Sequence, residues 1–133
     1  MQNGDGLISV RSKYDVAETA RRFRDVAEKA GLTIFSEIDH AQSASMAGLE
    51  LDPTRLLIFG NPREGTPLMQ SSRTAAIDLP FKALVWQDDN GTTWLTYNDP
   101  QWLAKRHKVD PGANPAISAI DSGMKSLTQV ATT

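Results

Sequence analysis

An α+β fold is expected for this chain of 133 residues: strand, helix, four strands, helix, with a curved antiparallel sheet and the helices packed mainly on one face. Three stretches lead to it. Between Asp15 and Gly31 apolar side chains recur at helical spacing. Phe81–Gln87 and Thr92–Asn98 are rich in β-formers and flank Asn90-Gly91, a hairpin signal. Ile117, Ile120, Met124, Leu127 and Ala131 set a second amphipathic helix near the end.

The elements follow in order. Leu7 to Ser12 alternates in polarity, as a half-buried strand does, behind a polar terminus (residues 1–6) expected to be disordered. Asp15 and Glu18 form a capping box, and Val16, Ala20, Phe23, Ala27 and Ala30 make the apolar stripe of the first helix up to Gly31. Its other face pairs Glu18 with Arg22 and Arg24 with Glu28 by spacing. Leu32 to Asp39 alternates again and is expected to return beside the first strand. Ala41 to Leu49 fits one or two helical turns closed by Gly48, and Asp52-Pro53 leads into Leu56–Phe59, apolar on both faces as a buried strand. After the hairpin, Asp99-Pro100 opens a short helix whose last turn is basic; Trp102 packs it onto the sheet. Asp110-Pro111-Gly112 breaks it, and Asn114-Pro115 opens the last helix, weakened at Gly123.

Composition narrows the function classes. Residues 1–133 make a single domain, residues 7–133 being its folded α+β part. A net charge of -2 supplies no field for nucleic acid or an anionic membrane, and zero cysteines exclude disulfides, thiolate metal sites and a thiol nucleophile. The start, Met1 to Gly6, has neither a basic region nor an apolar segment, and no later stretch reaches membrane-spanning length, so the cytoplasm is the expected compartment.

The stretch between the third and fourth strands, Gly60 to Pro80, carries the densest turn chemistry and reads as a long loop, the kind of segment that holds binding residues. Gly60-x-x-x-x-Gly65-Thr66 follows a strand as a phosphate loop does, but Thr66 stands where the lysine belongs and Pro67 where the magnesium-binding hydroxyl belongs, so nucleotide hydrolysis is not expected. Backbone N–H groups at Gly65-Thr66, with Arg63, could instead hold a small anion. His40 beside Asp39, with Asp78 and Glu37 expected at the same sheet end, is the one acid-base or metal-like grouping, and it lacks the three or four converging ligands of a metal site. His107 reads as an outer residue of a basic helix end. Met46, Met69 and Met124 read as core filler, and Trp86 and Trp94, near the Asn90-Gly91 turn, could line a pocket or stack across the hairpin.

Ile38-Asp39-His40, Leu56 to Pro62 (LLIFGNP), Gly65 to Met69 (GTPLM) and Asp78-Leu79-Pro80 together resemble the family catalogued as domain of unknown function 302. The resemblance implies a TATA-binding-protein-like α+β domain whose members pair as homodimers; it implies no catalytic residues.

These readings converge on a small binding or interaction domain without catalysis, metal or cofactor. Its ligand, small or anionic, is expected at Asp39, His40, Asn61, Arg63, Gly65, Thr66 and Asp78. The rival is a hydrolase or isomerase with His40 as base and an Asp as orienter. Nucleic acid and membranes are not expected partners. A second copy of the chain is, because Leu56–Phe59 and Ala83–Trp86 are apolar on both faces and two good helices cover one face of a sheet.

Overall fold

The first helix, α1 (Val16–Lys29), begins where the Asp15 carboxylate accepts the Glu18 N–H at 2.8 Å, and it ends at Gly31, whose φ of +85° favours a residue without Cβ. In this computed structural model, which describes residues 4–109 and 115–133, α1 lies between β1 (Leu7–Ser12) and β2 (Thr33–Asp39). There follow α2 (His40–Met46), β3 (Thr54–Gly60), α3 (Pro62–Ser71), a 3-10 helix (Arg73–Asp78), β4 (Phe81–Gln87), β5 (Thr93–Asn98), α4 (Pro100–Arg106) and α5 (Pro115–Thr132). The expected break at Asp110, Pro111 and Gly112 and the start signal at Asn114 lie outside the described residues.

The five strands pair antiparallel in the order β1-β5-β4-β3-β2. β2 is therefore an edge strand beside β3, not the neighbour of β1; chain proximity through α1 suggested the latter, but α1 carries the chain across to the far edge. β4 and β5 form the expected hairpin, with Gly91 at φ +80°. The polar terminus is not frayed at its inner end. Gly6 is buried, its carbonyl accepts the Asp99 N–H at 2.8 Å, and an added Cβ there would collide with the Trp102 ring.

Alternation along the strands decides which side is wet. Leu57, Phe59, Ala83, Val85, Leu95 and Tyr97 pack with Val16, Ala20, Phe23 and Ala27 of α1 and Ile117, Ile120, Met124 and Leu127 of α5 in one core. Phe23 and Phe59 meet edge to face, 5.0 Å between centroids. Both long helices thus share one face. The opposite face presents Ile38, Leu56, Ile58, Leu84, Trp86 and Trp94, none of which joins or packs against that core. Trp86 and Trp94 stand opposite each other in register, their indole N–H groups donating to Thr96 and Asp88.

Surface pairing on α1 differs from the spacing rule: Arg21 takes Glu18 and Asp25, Arg24 reaches Glu37 on β2 at 2.8 Å, and Arg22 stacks over Tyr14. Met46 is 83% exposed, against the expectation of core, because α2 buries no residue.

Tyr97, 4% exposed, has its phenol pushed up to about 12, by burial first and by the Asp121 and Asp99 carboxylates next. The unfolded chain ionises near pH ~10, so this group contributes nothing pH-dependent below that and costs about 1.4 kcal/mol per unit as pH rises from about 10 to about 12. Urea midpoints at pH 9 and 11 should fall more steeply for the native chain than for Tyr97→Phe; equal slopes would reject this origin.

Candidate functional site

The stretch expected to be a loop is helical. Asn61 caps α3 by accepting the Arg63 N–H at 2.9 Å, and Pro62 sits at the first helical position, where it loses no hydrogen bond. Gly65 and Pro67 argue locally against a helix, but Leu68, 4% exposed, is anchored in the core and holds the segment in place. The Gly65 N–H is consequently spent on the Asn61 carbonyl at 3.0 Å, and Thr66 lies within the helix, so the expected anion cradle does not exist.

What the helix makes instead is a groove. A cavity of about 170 Å³ opens between α3, the end of β3 and Leu79-Pro80-Phe81, with Phe35 as its outer wall. Phe35 reaches it through a β-bulge, since Ile34 and Ser36 pair with consecutive residues of β3 and Phe35 is the extra one. Asn61, Gly65, Thr66 and Met69 line it; Arg63 does not. A second groove of about 180 Å³ lies between the β3 end and α5, and shares Gly60, Glu64 and Phe81 with the first. Gly123 opens it, as an added Cβ there would meet nothing within 4 Å.

Asp39 and His40 are elsewhere. Asp39 registers with Arg55 and thence with Val85, whereas Phe59 registers with Phe81, so His40 and the residues after Asp78 lie at opposite ends of the sheet. Asp39 caps α2 by accepting the Gln42 N–H, and Glu37 is held by Arg24 and Arg55. His40 is exposed, so the proposed His40–Asp78 pair is not assembled.

Asp78 has another partner. Its carboxylate takes His107 Nε2 at 2.6 Å and Arg106 at 3.1 Å, while His107 Nδ1 meets the Thr74 hydroxyl at 2.9 Å. A carboxylate only accepts, which places a proton on Nε2. His107 is thus no outer residue: it is 8% exposed and pins the 3-10 helix to the end of α4. The basic composition of that helix end hid it, and a lone imidazole among lysines gives no signal in sequence. Hydroxyl, imidazole and carboxylate stand in the order of a nucleophile, base and orienter. Yet the Ala75 N–H is spent on Ser72, and the small cavity beside His107, about 10 Å³, is not lined by Thr74, so hydroxyl and imidazole do not converge on one pocket. The chain of bonds acts as a clamp on Asp78, hence on the Leu79-Pro80 wall of the groove. Among the described residues no three His, Asp or Glu side chains converge as metal ligands.

A family model described as "Domain of unknown function DUF302" matches residues 8–127. The chain is 47% identical over 126 residues to proteins named fluoride-specific ion channel FluC 1 from Brucella suis biovar 1 (strain 1330) and Brucella abortus biovar 1 (strain 9-941). The match covers 95% of this chain and 50% and 47% of theirs, so the chain spans about half the length of the curated relatives it matches. The crystal structure of an uncharacterized conserved protein DUF302 from Bacillus stearothermophilus superposes with a TM-score of 0.83 over 95% of this chain and 98% of that one, at 20% identity, a likeness of fold.

Proposed function

Since the chain belongs to the DUF302 family, whose description assigns no activity, we propose from its own geometry that it is a small binding domain without catalysis, taking a small apolar molecule in the groove between α3 and the Leu79-Pro80 wall. The observation that carries this is the bulge at Phe35, which turns an aromatic side chain out of the strand's alternation to close an apolar groove away from the core. Of the anticipated ligand residues, Asn61, Gly65 and Thr66 belong to this reading. Arg63, Asp39 and His40 leave it, and Asp78 enters as the support of the wall.

The relatives named as fluoride channels bear on this only in part. None of the described helices is long and apolar enough to cross a membrane, and we assign conduction in those proteins to the half this chain does not match, with the domain as an accessory, in the cytoplasm. The uncovered sheet face supports a second reading of partners, a second copy of this chain seated on Leu56, Ile58, Leu84, Trp86 and Trp94.

Gly65→Leu tests the groove, because an added side chain there grows toward Leu79 from 3.9 Å away. The neutral fluorophore N-phenyl-1-naphthylamine should brighten with the native chain and bind at least about tenfold more weakly to the variant, whose melting temperature is unchanged or higher because glycine is a poor helix former. Equal binding by both chains would remove the groove from consideration.

A further inference from the structure

We propose that the groove selects an amphiphilic cation, a small amine with an alkyl or aryl body, and that Glu64 is its counter-charge; this rests on the groove being a ligand site. Glu64 is the charged residue common to the linings of both cavities, each otherwise dominated by apolar groups such as Phe35, Met69, Phe81 and Ile120. Among the described residues its carboxylate has no hydrogen-bond or ion-pair partner. Asn61-x-x-Glu64 has the spacing of a capping box, in which the glutamate would return to the Asn61 N–H, but that bond is not made, and no cation among the described residues lies within ion-pair distance. Arg63 and Lys82, the latter donating to the Pro80 carbonyl at 3.3 Å, stay outside both linings.

A ligand ammonium bound between these apolar walls would sit beside the half-buried Glu64 carboxylate in a setting of reduced dielectric, where the attraction of opposite charges is stronger than in water. Size agrees. At about 170 Å³ and 180 Å³ the two cavities are each smaller than a drug-sized site of ~300 Å³ or more, so the occupant is either small or bridges both past Glu64. An anionic ligand would meet the same carboxylate as a like charge.

The test uses three molecules of one shape, hexan-1-amine, hexan-1-ol and hexanoate, titrated by calorimetry into the native chain, Glu64→Gln and Gly123→Leu. The amine should bind about tenfold more tightly than the alcohol, and hexanoate more weakly than both. Glu64→Gln should erase the amine's advantage while leaving the alcohol unchanged, and Gly123→Leu should weaken amine and alcohol alike if the occupant bridges. Alcohol binding without an amine preference, or hexanoate binding best, overturns the cation and leaves the groove standing. No binding by any of the three, with N-phenyl-1-naphthylamine also silent, overturns both.

Discussion

Leu84→Asp is expected to convert a dimer into a folded monomer. Leu84 sits near the middle of the face that neither long helix covers, between Leu56 on β3 and Thr96 on β5. Five strands spaced ~4.8 Å apart and about six residues long at ~3.4 Å each give a footprint of roughly 480 Å² per subunit, close to the ~1,000 Å² total at which specific interfaces begin. Its centre is apolar, with Leu56, Ile58, Leu84, Trp86 and Trp94, and its margin polar, with Arg11, Ser36 and Asn98. That arrangement suits a two-fold contact of one patch with itself. Each central side chain is already partly buried within one subunit, so covering the remainder contributes less than the ~1.5–3 kcal/mol of a fully exposed one, before the cost of association. An aspartate there is desolvated and, near the axis, faces its own copy, so association should weaken by about 100-fold or more. Light scattering after size exclusion should give twice 14.5 kDa for the native chain and 14.5 kDa for the variant. A native chain that stays monomeric at high micromolar concentration would sink the pairing.

The second large effect is on stability. His107→Ala should lower the unfolding free energy by about 3 kcal/mol, because it removes a buried partner from the Asp78 carboxylate and leaves the Thr74 hydroxyl with one fewer bond. Arg106 still reaches Asp78, which keeps the loss at the lower end of the range for a broken buried pair. Thr74→Val, which breaks the bond at its exposed end, should cost about 1 kcal/mol or less. The His107 variant should also bind N-phenyl-1-naphthylamine less well than the native chain at a temperature where both are folded, since Leu79 and Pro80 follow Asp78 directly. A loss under about 1 kcal/mol in urea, with unchanged m, would mean that the imidazole is not what fixes this wall.

Local chemistry determined much of this protein without any knowledge of its folded form. The Asp15 cap, the stripe Val16, Ala20, Phe23, Ala27, the Asn90-Gly91 hairpin and the Asp99-Pro100 helix start are all interactions between residues a few positions apart, and each forms as its spacing dictates. The α+β class and the family followed from these and from a handful of linked motifs. Tertiary structure decided the rest. Whether Pro62–Ser71 is a loop or a helix turned on one long-range anchor, Leu68, set against two poor helix formers. Which histidine meets Asp78 turned on strand register, which sends His40 to one end of the sheet while the docking of α4 brings His107 to the other. The groove, too, arises from an extra residue in β2, a bulge that an alternating sequence does not announce, because its geometry is fixed only when β3 pairs beside it.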